Sequence, residues 1–315
     1  MYDLAIIGGG PAGMTAALYA ARKKLNTLLV TKDIGGQMML TTDIENWIGF
    51  QEITGFELSE RFEKHLSQFK EIEKHVGERV TRIVPAEKKF KISTSDENVY
   101  EARTVIIASG KRSRPLGVPG EKELAGRGIS YCATCDAPIF AGREVGVIGG
   151  GNSAVQAVID LVPIATKITI TNIIPLWQAD PILLERIEHN DKVIPYLGWE
   201  VVRVKGENHV TGMIIRNRES GVEKEISLQG LFVEIGLIPN SEFVEGVVEL
   251  NRYGEVIVDC LSRTNVPGIF ASGDVTTVPT KQIIVASGEG AKAALSAYDY
   301  LIMNGFWTGR AMSTY

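Results

Sequence analysis

The sequence predicts an α/β fold in which one strand–turn–helix–strand plan occurs twice, and three segments carry that prediction. The first is the apolar strand Leu4-Ala5-Ile6-Ile7, the turn Gly8-Gly9-Gly10-Pro11-Ala12-Gly13, an Ala-rich helix through Ala21 and a second strand from Thr27 to Val30. The second is Val145-Gly146-Val147-Ile148, then Gly149-Gly150-Gly151-Asn152-Ser153-Ala154, a helix ending near Pro163 and a strand from Ile168 to Thr171. The third, from Thr264 to Asp274, is a turn, a buried strand and a Gly273-Asp274 pair at the strand end.

A glycine turn between strand and helix, followed by another apolar strand, is the pattern of a nucleotide-binding βαβ unit. Each glycine has a separate task. Gly8 and Gly149 allow the tight turn, Gly10 and Gly151 let a pyrophosphate approach the backbone, and Gly13 and Ala154 keep the helix close to its strand. The helix N-terminus, with Pro11 and Ala12 in one copy and Asn152 and Ser153 in the other, offers free N–H groups to phosphates. Two copies in strand-to-helix context predict two Rossmann-like, three-layer (ββα) domains. Ligands of open α/β sheets lie at strand C-termini, so the Asp274 carboxylate can accept hydrogen bonds from the sugar-alcohol chain of a flavin. A structural turn aspartate explains it equally well.

The 315 residues leave room for two domains, with 44% hydrophobic and 23% charged residues and a net charge of −5. That balance carries no nucleic-acid footprint. The one basic cluster, Lys111-Arg112-Ser113-Arg114, reads as a solvated turn. No apolar run reaches the ~18 residues that would span a bilayer, and the first strand begins at Tyr2 without room for a leader. The expected compartment is the cytoplasm, where structural disulfides are rare. Cys132-Ala133-Thr134-Cys135 then favours redox or metal chemistry. Zinc would need two further ligands, and Cys260, the remaining cysteine, reads as a packed small hydrophobe; no metal is expected.

In order and spacing these segments resemble the low-molecular-weight thioredoxin reductase family, the FAD-dependent pyridine nucleotide-disulfide oxidoreductases of class II. The resemblance also takes in Gly35-Gly36-Gln37, Glu45-Asn46-Trp47, Ile107-Ala108-Ser109-Gly110 and Cys132-Ala133-Thr134-Cys135-Asp136. It implies a discontinuous FAD domain at 1–112 and 242–315. Inserted into it, at 113–241, is an NAD(P)H-binding-like domain carrying the cysteine pair, with hinges near Ser113-Arg114-Pro115 and Pro239-Asn240. Gly8, Gly10, Pro11, Ala12, Gly13, Gly36, Gln37, Asn46, Ala108, Ser109, Gly110, Gly273, Asp274, Gln282 and Ile283 would hold FAD. Cys135 would face the flavin, Cys132 would attack a thioredoxin-like partner, and the enzyme would be a homodimer. No histidine lies near the pair, so Asp136 is the local acid–base candidate.

The chain departs from the family after its second glycine turn. NADPH-dependent members carry His-Arg-Arg and a further Arg there, and this chain has Asn172-Ile173-Ile174 and Gln178. Charge-assisted bonds contribute about 1.5–3 kcal/mol each, so NADPH is not the expected donor. Asn172 stands where NADH-using alkyl hydroperoxide reductase flavoproteins place a carboxylate, which keeps weak NADH use open. The second site, Gly149, Gly151, Asn152, Ser153, Ala154 and Asn172, then reads as vestigial or weak. Relatives independent of pyridine nucleotides, among them ferredoxin-dependent enzymes, make a ferredoxin the favoured donor. An ordinary NAD(P)H-dependent reductase, and a flavin redox sensor without turnover, are the alternatives.

After a last helix expected at about Glu289 to Met303 comes a tail with Phe306, Trp307 and Tyr315. Disordered ends are aromatic-poor. Trp307 or Tyr315 is expected to stack on the flavin, against the alternative that the tail packs on its own domain.

Overall fold

The computed structural model describes residues 1–40, 44 and 46–307, without the side chains of Leu40, Thr134 and Cys135. Two compact units divide the chain, one formed by 1–112 with 238–315 and the other by 113–237.

The first unit opens with β1 (Tyr2–Gly9), α1 (Pro11–Arg22), β2 (Thr27–Ile34), α2 (Gly55–Leu66), β3 (Ile72–Val76), β4 (Val80–Ala86), β5 (Lys89–Thr94) and β6 (Val99–Ile107). The chain crosses over in β7 (Lys111–Ser113). The second unit holds α3 (Glu121–Leu124), β8 (Ile129–Ser130), α4 (Ala133–Asp136), β9 (Glu144–Ile148), α5 (Asn152–Leu161), β10 (Lys167–Asn172) and α6 (Pro181–Leu184). It continues with β11 (Val193–Leu197), β12 (Trp199–Gly206), β13 (Val210–Asn217), β14 (Glu223–Ser227) and β15 (Gly230–Val233). The chain returns through β16 (Leu237–Pro239) and ends with β17 (Ile269–Ala271) and α7 (Ile283–Met303).

In the first unit the sheet runs β3-β2-β1-β6-β5-β4, with β17 also on β6. The β3-β2-β1-β6 core and the β6–β17 pair are parallel, whereas β4–β5 and β5–β6 are antiparallel. Side chains alternate across a strand, and β1 uses both faces. Leu4 and Ile6 join a core with α1, α2 and α7, while Ala5 and Ile7 join a second core with Val80, Ile83, Phe90 and Ile92 of β4 and β5. That double burial explains why β1 reads as a continuous apolar run.

The second unit repeats the plan with a parallel sheet β11-β10-β9-β15-β8. Val145 and Val147 of β9 pack towards α5, and Ile148 packs with Met213, Ile215 and Ile226 of the antiparallel sheet β12-β13-β14. Helix, parallel sheet and antiparallel sheet make the three layers. Both units are therefore Rossmann-like.

Several expectations change. The return crossing falls at 237/238, ahead of the expected 241/242. Asn240 explains this. Its N–H donates to the Gly110 carbonyl at 2.9 Å, its Nδ2 donates to the Ser109 carbonyl at 2.9 Å, and its own carbonyl accepts from Ser109 Oγ at 2.6 Å. The basic cluster is not a solvated turn. Lys111 begins β7, which pairs with β16, and its ammonium meets Glu255 at 2.8 Å with only 12% of the side chain exposed. Helix α7 begins at Ile283, not near Glu289. Gly288 and Gly290 lower local helix propensity, but tertiary packing uses Gly290, where a Cβ would stand 2.0 Å from the Ala12 carbonyl oxygen. Cys260 is a free, exposed thiol rather than a packed hydrophobe. It sits in a turn whose Leu261 and Arg263 N–H groups donate to the Asp259 carboxylate.

Candidate functional site

In the first unit the turn between β1 and α1 is shaped by what cannot fit there. Gly8 has φ +115°, and a Cβ on it would lie 2.2 Å from the Ala108 carbonyl oxygen. A Cβ on Gly13 would lie 1.8 Å from the Gly8 carbonyl oxygen. Gly10 differs, since its nearest neighbour at the Cβ position is the Gly35 carbonyl at 4.0 Å. Gly10 is also the N-cap of α1, with no side-chain cap and no acidic residue in the first turn. The helix N-terminus is thus left with N–H groups facing open space, which is the geometry that receives a phosphate.

Around this turn the strand ends bring together distant residues. Gly36, φ +55°, lies close enough that its Cβ would be 3.4 Å from Gly10 Cα. Gln37 Nε2 donates to the Asp274 carboxylate at a long 3.5 Å, and Asn46 Nδ2 donates to Gln282 Oε1 at 3.0 Å. Gly273, φ +74°, follows β17 and packs against Ala12. Burial holds the Asp274 carboxyl above the usual carboxylate range, with Lys281 and Lys111 drawing it back. Burial likewise lowers Lys281, helped by repulsion from Lys111 and opposed by Glu255.

The second unit holds the cysteine segment. Cys132 is half-buried and disulfide-bonded. Its N–H donates to Ser130 Oγ at 3.0 Å, and its carbonyl accepts from Ser130 Oγ at 3.0 Å and from the Asp136 N–H at 3.2 Å. These bonds fix the chain as it enters α4. Asp136, the expected acid–base group, is half-buried at the end of α4, and the side chain of Cys135 lies outside the described residues. The sequence reading missed Glu234, which follows β15. Its carboxylate accepts a hydrogen bond from the backbone N–H of Ala133, next to Cys132. Burial pushes Glu234 up to about 7, and repulsion from Asp160 adds to this against the pull of the Ala133 N–H. The signal was present as a single acidic residue ending the apolar run Gly230-Leu231-Phe232-Val233.

The second glycine turn repeats the sterics of the first. Gly149, φ +134°, would drive a Cβ to 2.2 Å from the Glu234 carbonyl oxygen, and Gly151 is open. Its polar surroundings are turned on themselves. Asn172 is 4% exposed and its Nδ2 donates to the Leu176 carbonyl at 2.8 Å. Asn152 and Asp180 exchange two hydrogen bonds of 2.9 and 2.8 Å, and the Gln178 N–H donates to the Gly150 carbonyl at 2.8 Å. Ser153 is exposed and Ala154 buried. Ile173 and Ile174 are exposed.

Residues 2–290 match the family described as pyridine nucleotide-disulphide oxidoreductase. The chain belongs to this family. It is 44% identical to an alkyl hydroperoxide reductase subunit of Staphylococcus aureus over 96% of this chain and 60% of that protein. The chain therefore spans about 60% of the length of the curated relatives it matches. Thioredoxin reductase of Lactococcus lactis is 37% identical, with a TM-score of 0.88 over 96% of this chain and 100% of the other. That of T. acidophilum is also 37% identical, with a TM-score of 0.84 over 96% and 99%.

The first unit fits a flavin dinucleotide. Gly10 leaves the backbone open, the N-terminus of α1 lacks a side-chain cap, and Asp274 is a half-buried carboxylate that accepts a long hydrogen bond from Gln37. Ala108, Ser109 and Gly110 follow β6 beside Gly8, and Gln282 and Ile283 open α7. Glu45 and Tyr315 lie outside the described residues. Phe306 and Trp307 are described, and Trp307 is one of the two residues expected to stack on a flavin. They pack on their own unit, Trp307 edge-on to Tyr298 at 5.1 Å and Phe306 under the Arg103 guanidinium at 4.9 Å. Among the described residues no helix is long and apolar enough to cross a membrane, and no cluster of three or more potential metal ligands occurs.

Proposed function

We propose that this chain is a flavoprotein disulfide reductase. It passes electrons through Cys132 and Cys135 to thioredoxin or a thioredoxin-like protein, as a homodimer, with a ferredoxin-like donor favoured over NADPH. The observation that carries this reading is the disulfide at Cys132 in a CxxC that opens α4 within a dinucleotide-type unit. FAD, when bound, supplies the two-electron carrier that reduces that disulfide. Gly10, the N-terminus of α1, Gln37 and Asp274 would hold it.

The residues of the chain divide the remaining work. The Ser130 hydroxyl and the first turn of α4 hold Cys132 at a fixed, half-exposed position, from which a thiolate can attack a partner disulfide. Asp136 can hand a proton to the departing sulfur. The missing cations at Ile173, Ile174 and Gln178, together with the internal bond of Asn172, support a donor other than NADPH. A second reading is a component acting beside a peroxide-reducing partner, favoured by the 44% identity to the alkyl hydroperoxide reductase relative.

The test is anaerobic reduction of the purified flavoprotein by NADPH, NADH or reduced ferredoxin, followed by transfer to thioredoxin. Cys132→Ser is expected to retain flavin and to lower thioredoxin reduction by at least about 10³-fold, as for loss of an obligatory nucleophile. Substantial turnover in that variant would remove the dithiol from the reaction. Fast reduction by micromolar NADPH would restore the ordinary donor.

A further inference from the structure

Glu234 occupies an unusual place in the second unit. It follows β15, whose four residues are all buried, and its own N–H donates to the Ile148 carbonyl at 2.8 Å, extending the ladder to β9. The chain therefore delivers a carboxylate to the C-terminal edge of a parallel sheet, between the glycine turn at Gly149 and the cysteine helix α4. Its carboxylate accepts the N–H of Ala133, which is 4% exposed and belongs to the same core as Phe232 of β15. Cys132 is the next residue back along the chain. Helix α5 packs against α4 and presents Asp160, which is held in part by Gln156 Nε2 at 2.8 Å.

We propose that Glu234 is a positioning residue that couples proton uptake to reduction of the disulfide at Cys132. The inference rests on the proposed function only in needing that disulfide to be redox-active. Reduction adds two electrons, from reduced flavin in the enzyme or from a dithiol in a test. The S–S bond breaks, one sulfur takes a proton and the other remains a thiolate. The new negative charge forms in the segment whose Ala133 N–H the Glu234 carboxylate accepts, and like charges disfavour joint ionisation. Glu234 therefore takes up a second proton. Disulfide, carboxylate, two electrons and two protons become thiol, thiolate and carboxylic acid.

The charged groups bearing on Glu234 can be named element by element. Asp160 acts from α5 and raises the affinity of Glu234 for a proton, the Ala133 N–H acts from α4 and lowers it, and burial is the largest influence. From α4, Asp136 also lies within the cysteine segment. With the disulfide intact Glu234 titrates at about 7. A neighbouring thiolate moves that point upward, never downward. Below pH 7 Glu234 is protonated in both redox states and adds nothing. Above pH 7, up to its value in the reduced protein, each pH unit makes reduction a further tenfold less favourable than it would be with a neutral side chain, a drop of about 30 mV.

The experiment equilibrates the full-length flavoprotein with mixtures of reduced and oxidised dithiothreitol from pH 6 to pH 8.5. Free thiols are then alkylated and counted by mass, with Cys260 as a constant offset. Glu234→Gln keeps an oxygen for the Ala133 N–H and loses the charge. It should match the parent at pH 6 and be reduced up to about tenfold more readily at pH 8, without a break near pH 7. Parallel curves for the two proteins at every pH overturn the proposal. Should Glu234→Gln fail to fold, Asp160→Asn carries the test. It removes the repulsion and should move the break to lower pH, and an unmoved break is equally fatal. A disulfide that no dithiol mixture opens overturns the proposed function itself, an outcome separate from parallel curves.

Discussion

The two glycine turns of this molecule have nearly the same skeleton and different surroundings. Gly8 and Gly149 both adopt positive φ, and a Cβ on either would meet a carbonyl oxygen of a neighbouring strand end at 2.2 Å. Gly10 and Gly151 are both open. In both turns a later loop returns an N–H to the middle glycine, Gly35 to Gly9 and Gln178 to Gly150, each at 2.8 Å. The likeness belongs to the joint between strand and helix, which every such unit needs. The difference lies in the polar groups. Around the first turn Asp274 is half-buried and accepts a long hydrogen bond from Gln37, whereas around the second Asn172, Asn152 and Asp180 satisfy one another or their own loop. A glycine motif therefore reports a scaffold, and its flanking side chains report what the scaffold holds.

The largest effect expected from this comparison is at the third position. Gly13 has no room for a methyl group, because the obstacle is the backbone oxygen of Gly8 at 1.8 Å, while the second turn carries Ala154 at the matching place. Gly13→Ala should cost about 3 kcal/mol or more by overpacking, read as a lowered urea midpoint. Ala154→Gly should cost only about 1 kcal/mol, as a helix glycine does. Equal losses would show that the two joints are not packed alike.

At the open position the change should separate folding from binding. Gly10→Ala and Gly151→Ala both place a methyl group in free space, so both should melt near the parent when all three are compared without flavin. Gly10→Ala should lose most of its flavin, since the methyl group would stand where a pyrophosphate must approach. Gly151→Ala should keep it. Flavin absorbance per chain after gel filtration decides the matter, and full occupancy in Gly10→Ala would move the cofactor away from this turn.

Restoring charge at the second turn sharpens the comparison further. Ile173 and Ile174 are exposed, so Arg at those places costs little packing, and Gln178 holds Gly150 through its backbone, which Arg preserves. Two new charge-assisted contacts at about 1.5–3 kcal/mol each would raise NADPH affinity by about 10²–10⁴. The gain should fall at the lower end, because Asn172 stays bonded to Leu176. No gain by fluorescence titration would locate the barrier in the loop rather than in the missing cations.

Much of this was legible in the chain itself. The strands of the two units are apolar on both faces, so β1 and β9 announce themselves, and glycine turns have sequence signatures because no other residue tolerates their sterics. What was not legible depends on proximity in space. Glu234 and Ala133 lie far apart in sequence and meet because β15 ends where α4 begins. Asn172 looked like a ribose partner because sequence cannot show an amide turned onto Leu176. Asn240 looked like a hinge residue, and its three bonds to Ser109 and Gly110 tie it to the first unit. Lys111 looked solvated because its partner Glu255 lies well over a hundred residues further along the chain.

The smallest effect concerns the end of the chain, where the sequence invites the idea of an aromatic lid. Phe306 and Trp307 lie just beyond the end of α7, and their N–H groups both donate to the Leu301 carbonyl, closing the helix. Trp307 meets Tyr298 at 64° and Phe306 lies near Tyr300 at 6.3 Å, both beside Leu301 and Ala297 in the core shared with α1. Such a pair contributes about 0.5–1.5 kcal/mol beyond area burial, and a hydrophobic contact just beyond a helix C-terminus is a common cap. Trp307→Ala should therefore lower the stability of the flavoprotein by about 1 kcal/mol in urea melts, with flavin absorbance and fluorescence unchanged. A ring that stacked on the flavin would give the opposite pattern. Its loss would leave the urea midpoint in place and would change the fluorescence of the flavin and its reactivity with oxygen. That result would overturn the packing described for Trp307 and make the last turn of α7 part of the flavin site.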